Sequence, residues 1–159
     1  MGISSVVDAT ECFIDKPGDT NLRADTYSGY QKRTTLKYNA VATLSKKFIA
    51  HVDGPHDGPT HEAVALEVSD YLENLETGEH IIADQKYYNN DEDRIFTVLD
   101  VAFQDQDTFH NNRARIEHLF AKLKVFSVLS GTFRHDLSKH STVFTLICAI
   151  HNVRALRNI

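Results

Sequence analysis

Cysteine is nearly missing from this chain: 159 residues hold two, Cys12 and Cys148, each inside an apolar segment. Two distant thiols without metal-type spacing exclude a disulfide framework and fit a reducing compartment. No apolar run approaches the roughly 20 residues of a membrane span, and no basic-then-apolar segment opens the chain, so neither a transmembrane helix nor that kind of export signal is expected. Val6 stands where a myristoylation pattern needs Ser or Thr. An excess of positive charge is lacking too. The formal net charge of -5 argues against a stand-alone, tight, non-specific binder of nucleic acid, whose affinity would come from Lys and Arg. No G-x-x-x-x-G-K, G-x-G-x-x-G or nucleophile elbow occurs, which disfavours nucleotide hydrolysis, dinucleotide redox chemistry and serine hydrolysis.

What is present reads as a globular chain. Hydrophobic residues at 42% and charged residues at 25% are ordinary values for a folded protein, and the length suits one domain over residues 1–159. Charge is grouped rather than even. Lys32, Arg33 and Lys37 cluster early, Arg113, Arg115, Lys122, Lys124 and Arg134 cluster late, and acids crowd residues 62–79 and 91–107. A polarised surface and scattered solvated charges explain this equally well.

Ile3 to Ile14 is β-branched and apolar and ends at Asp15-Lys16-Pro17-Gly18, which predicts a strand carrying Asp8 and then a turn. Gly18 to Gln31 has no periodicity and reads as a loop. Thr34 to Leu44 alternates, with Leu36, Tyr38, Ala40 and Ala42 on one side and Lys37, Asn39 and Thr43 on the other, a strand by period two. Phe48 to Val52 completes an antiparallel hairpin beside the first strand. Asp53 to Pro59, with two of the three prolines, reads as a shaped loop. A helix is expected from Thr60 until Gly78, and then a buried parallel strand that delivers Asp84 at its C-terminal end. Ile95 to Leu99 reads as a short strand, Val101 to His110 as an irregular or helical link, Asn111 to Phe126 as a helix, and Ser138 to Arg157 as a final helix buried from Val143 to Ile150. The order is α/β, a mixed sheet with flanking helices.

The Asn111–Phe126 helix carries an awkward carboxylate. Ile116, Leu119, Phe120, Leu123 and Phe126 recur at helical spacing, and Glu117 lies about 100° round from Ile116, in a row with Arg113, Ala121 and Lys124. By itself this is most simply an exposed Arg113/Glu117 ion pair. Asp8 and Asp84 are embedded in apolar sequence in the same way, where an unpaired charge is costly. Three converging carboxylates would supply the hard oxygen ligands that Mg²⁺ or Mn²⁺ takes. Spacing alone carries little weight, because 22 acids offer many triples.

The ordered set of segments is more specific. VVDATECFI, YSGYQKRTTLKYNAVATLSKKFIAHVDGPHDGPTHEAVAL, IIADQKYY, NRARIEHLFAKLKVFSVLSGTFRHDL and FTLICAIHNVRAL resemble, over nearly the whole chain, the catalytic domain of DDE transposases of the PIF/Harbinger type and related bacterial insertion-sequence transposases. The D-x-T-E opening, the G-x-x-H turn, the A-D-x-x-Y strand end and the R-x-x-x-E-H-x-F-x-x-L-K helix carry the likeness. It implies a ribonuclease H-like fold, with Asp8, Asp84 and Glu117 as the catalytic and metal-binding acids. It also implies two Mg²⁺ or Mn²⁺ ions and cleavage and joining of DNA phosphodiesters. Lys32, Arg33, Lys37, Arg113 and Lys124 are the candidate DNA contacts, and His61 a candidate support for an acid or a phosphate.

Departures accompany the likeness. The family's N-terminal recognition segment, usually a helix-turn-helix, is expected to be absent here; His61 is followed by Glu62 where relatives often have Asp; and Lys86 replaces a Gly that is common after Asp84. Relatives further imply DNA binding assisted by a Myb-like partner or by self-association, no membrane, and work in the nucleus of a eukaryotic host or otherwise in the cytoplasm. The alternative is an inactive transposon-derived domain serving as a protein-interaction or DNA-bound scaffold. A zinc site on His51, His56 and His61 is disfavoured for want of Cys or a helical pair.

Overall fold

A computed structural model describes residues 2–45, 48–67, 69–88, 93–100 and 105–157. Its centre is β1 (Gly2–Phe13), which carries Asp8 at mid-length. β1 pairs antiparallel with β3 (Arg33–Thr43) on one side, and parallel with β5 (Glu79–Ile82) on the other. β5 in turn pairs parallel with β6 (Ile95–Phe96). β4 (Ile49–Asp57) and the two-residue β2 (Tyr27–Ser28) both lie antiparallel to β3. The sheet is mixed, with the first hairpin antiparallel and the Asp84 strand reached by a crossover, as the sequence predicts.

Both faces of this sheet are covered. On one, Val6, Cys12, Leu36, Tyr38, Ala40 and Ala42 pack against α3 (Gln106–Leu123) and α5 (His140–Arg157). On the other, Val7, Val41, Ile81, Ala83 and Tyr87 pack against Leu66 of α2 (Glu62–Glu67) and Leu72. That second layer buries Lys37 and Asn39, which period two had put on a polar side. Ile116, Leu119, Phe120 and Leu123 form the buried stripe of α3. Asn152 of α5 fastens the rim of β4: its Oδ1 accepts the Ile49 N–H at 2.9 Å and its Nδ2 donates to the Ile49 carbonyl at 3.0 Å. Cys12 and Cys148 are free and buried.

Several boundaries differ from the sequence reading, each for a local reason. The loop expected over Gly18–Gln31 holds a short helix, α1 (Thr20–Asp25), capped by the Asp19 carboxylate on the Leu22 N–H, and then β2. One and a half turns are too few to register as a period. β4 runs on through Gly54 and Pro55 because, among the described residues, it pairs with β3 alone and shifts register twice, which lets an outer strand hold Pro and Gly. The helix expected to reach Gly78 stops at Glu67; Ser69 folds its N–H and hydroxyl onto the Leu66 carbonyl, and Leu72–Asn74 is a single tight turn. Val68 lies outside the described residues, as do residues 101–104 of the expected link. α3 starts at Gln106, earlier than expected, burying Phe109. It ends at Leu123, and a one-turn helix, α4 (Ser127–Ser130), follows. The apolar run of α5 is buried on one side only: Phe144, Ile147 and Cys148 face inward, while Leu146 is exposed.

Candidate active site and nucleic-acid interface

Asp8 sits where β1 outruns β5. Their pairing ends at Val6 with Ile82, so Asp84, two residues past Ile82, comes level with Asp8. The chain turns sharply there: the Asp84 carboxylate accepts the Gln85 N–H at 2.6 Å, capping a tight turn over Gln85–Tyr87. α3 brings Glu117 over the same end of the sheet, and Arg113 one turn earlier. The Arg113 guanidinium reaches both acids, with Nη2 3.5 Å from Asp84 Oδ2 and 3.7 Å from Glu117 Oε1, and its Nε is buried without a hydrogen-bond partner.

The Asp8 carboxyl is pushed up to about 6. Burial is the main cause, opposed by its hydrogen bond from the Ala9 N–H at 2.8 Å and by the Arg113 charge, and reinforced by Asp84 and Glu117. The three predicted acids therefore share one electrostatic neighbourhood. Among the described residues no three His, Cys, Asp or Glu side chains stand close enough to grip a metal ion as arranged; Arg113 is interposed between two of the acids. The donor set still suits a hard divalent cation, being three carboxylates of which one is costly to ionise where it stands. Glu117 is 59% exposed on the helix surface, held by Arg113 alone among the ion pairs of the described residues.

A cleft of about 510 Å³ opens beside Asp8, floored by Ala9, Thr10 and Glu11 and walled by Lys37, Glu62, Lys86 and Lys124. Lys37 is buried, donating to the Thr60 carbonyl at 2.6 Å and pairing with Glu62 at 3.4 Å; Lys86 approaches the same Glu62 at 3.7 Å. Lys124 donates to the Glu11 carbonyl at 3.1 Å, which ties the end of α3 to β1. His61 is exposed on the rim, its Nδ1 accepting the Ala63 N–H. His56 pairs with Asp53 at 2.7 Å, and His51 lies against the Tyr71 ring.

The predicted DNA contacts thus fall in three places. Arg113 stands among the acids, and Lys37 and Lys124 line the cleft. Lys32 and Arg33 line a separate cleft, where Arg33 donates to Thr132 at 3.0 Å and lies over the Phe13 ring. Four strand residues span about 13 Å, enough to part Lys37 from Arg33.

Two residues near the acids had no role assigned from sequence. Tyr87, fully buried, donates its hydroxyl to Asn39 Oδ1 at 3.0 Å, and burial and the nearby acids push its hydroxyl strongly upward. Its place in the A-D-x-x-Y strand end was the available signal. Glu62, the acid that joins two lysines, follows the G-x-x-H turn directly.

A family model described as DDE superfamily endonuclease matches residues 7–152. No curated protein and no solved structure is similar enough to be matched to the chain. The matched span takes in all three acids, both clefts' strands and the helices that cover them, and the chain belongs to the DDE superfamily endonucleases.

Proposed function

We propose that this domain cleaves and joins DNA phosphodiesters with a divalent metal, Mg²⁺ or Mn²⁺, on Asp8, Asp84 and Glu117. The observation that carries the reading is the placement of the three acids at one end of the sheet, Asp84 level with Asp8 by strand register and bridged to Glu117 by Arg113, in a chain of the DDE superfamily. Within that superfamily we read the PIF/Harbinger type and a ribonuclease H-like topology, from the ordered motifs and from a sheet whose second acid follows a parallel neighbour of β1.

Two such ions would activate the attacking oxygen and stabilise the leaving one. The protein's part is to position and neutralise. Asp8, held by the Ala9 N–H, is the rigid member; Asp84 is fixed by its own turn; Glu117 is the adjustable one. Lys124 and Lys86 stand along the cleft where phosphate charge would lie, with Lys32 and Arg33 further along, and Arg113 is placed to follow the charge of the acids. His61 stands at the rim as a phosphate contact. In this reading the partners are DNA together with either a Myb-like protein or a second copy of the chain, and the place of work in a eukaryotic host is the nucleus.

A second reading is favoured by the Arg113 clamp: a domain of the same fold that binds without turnover, its acids satisfied by an internal cation. Incubating a supercoiled plasmid with the protein and Mn²⁺ separates the two. Nicking that disappears in Asp8→Ala and in Glu117→Ala supports the nuclease; plasmid left intact by folded wild-type protein that also fails to bind Mn²⁺ in calorimetry supports the scaffold.

A further inference from the structure

The second cleft, about 490 Å³, is ringed by five cations, Lys16, Arg23, Lys32, Arg33 and Arg134, with Asp15 as its one acid. This is unusual in a chain whose formal net charge is -5. Arg23 is braced by the Pro17 and Gly18 carbonyls and Arg33 by Thr132, so two of the cations are pre-positioned. Lys16, Lys32 and Arg134 are exposed. Lys32 adopts φ 54° at the turn into β3, a conformation that costs a non-glycine residue energy and recurs at binding sites. Like charges gathered in a concave site repel one another, and a polyanion relieves that repulsion while releasing its counterions.

Position gives the cleft a length scale. Asp8 and Ile14 lie on one extended segment, Ile14 still bonding through its N–H to Thr34, so six residues at 3.3 Å separate them by about 20 Å. Duplex DNA rises about 3.4 Å per base pair, so the same distance is about six base pairs. Lys124, on the Glu11 carbonyl, stands between the two ends.

We infer that this cleft is a second phosphate-backbone site, which holds duplex DNA about six base pairs from the phosphodiester that Asp8 faces. The inference rests on the DNA reading above and adds to it a site, three further residues (Lys16, Arg23 and Arg134) and a minimum arm length.

The test is fluorescence anisotropy with the full chain, labelled duplexes and EDTA, so that binding is read without chemistry. Lys16→Ala with Arg134→Ala should weaken binding of a 30-base-pair duplex by roughly tenfold and lower the salt slope by about two, near one per lost phosphate contact. Lys16→Arg with Arg134→Lys should keep both. In a second measurement, nicked duplexes with arms of three to ten base pairs on either side of the nick should gain affinity once one arm passes about six. Circular dichroism melting and Mn²⁺ calorimetry on the same variants should match wild type, which separates a lost contact from a lost fold. If the wild type binds DNA and the alanine pair changes neither affinity nor slope, the second site is wrong and the nuclease reading stands. If the wild type binds no DNA at any salt concentration, both fall. Tighter, Lys16- and Arg134-dependent binding of an RNA duplex of equal length would overturn the assignment to DNA.

Discussion

Arg113 holds Asp84 at 3.5 Å, and from the same nitrogen it reaches Glu117 at 3.7 Å. One guanidinium thus counters two carboxylates and lowers the proton affinity of a third, Asp8. Arg113→Gln removes that charge, and the Asp8 carboxyl should titrate above its present value of about 6. Carboxyl NMR titration of wild type and variant checks this; an unchanged or lower midpoint would refute the arrangement. Arg113→Lys should restore most of the difference.

The raised Asp8 carboxyl also fixes the sign of a pH effect on stability. The folded state binds the proton more tightly than the unfolded chain, from 3.8 up to about 6. This contribution to stability is therefore full below about pH 4 and is lost as pH rises through about 6, at most about 3 kcal/mol. Urea unfolding midpoints of wild type should fall relative to those of Asp8→Asn between pH 4 and 7. Parallel curves would count against a desolvated Asp8. Metal binding, which needs the carboxylate, should strengthen over the same range.

Tyr38 and His140 share a buried hydrogen bond of 2.7 Å, and the Tyr38 ring stacks on Phe144. Burial lowers the His140 imidazole below its ordinary value, which favours the neutral ring. Tyr38→Phe keeps the stack and strands the imidazole nitrogen, which should cost about 1–3 kcal/mol in urea denaturation. Its Mn²⁺ binding should be unaltered, since neither residue faces the acids' cleft.

Gly54 adopts φ +125°, and a Cβ there would lie 2.7 Å from the Lys37 carbonyl and 2.9 Å from the Tyr38 ring. Gly54→Ala should lose about 1–3 kcal/mol of stability and, by displacing β3, loosen the Lys37–Glu62 pair on the cleft wall. Thermal melting beside Gly78→Ala, whose added carbon meets nothing within 4 Å, separates contact from backbone strain. Equal losses in the two variants would contradict the steric account.

Much of this was readable from the chain because it depended on local chemistry. Asp8 and Asp84 stand out as acids in apolar strands, and Glu117 beside a clear helical stripe. What they face was not readable. Period two marks Lys37 as opposite to Tyr38 but cannot reveal that α2 and the Tyr87 turn cover that side too. The Arg113/Glu117 pair follows from a spacing of four, yet the reach of the same guanidinium to Asp84 depends on where the end of β5 meets α3. Leu146 likewise reads as core from composition and is exposed, since a run of apolar residues does not say how many sides of a helix are covered.

β5 has four residues beside the twelve of β1, and this inequality has a consequence for how the domain could change over time. Among the described residues, no strand pairs with that flank of β1 from Asp8 to Phe13, and the first cleft occupies the notch. An insertion extending β5 by about five residues would continue the ladder from Val6 across Ala9 to Glu11 and fill the notch with backbone. Such a change would shut the domain to any bulky guest, carry Asp84 past Asp8 and take the Glu11 carbonyl from Lys124, so the length of one short strand sets both the aperture of the cleft and the alignment of its acids.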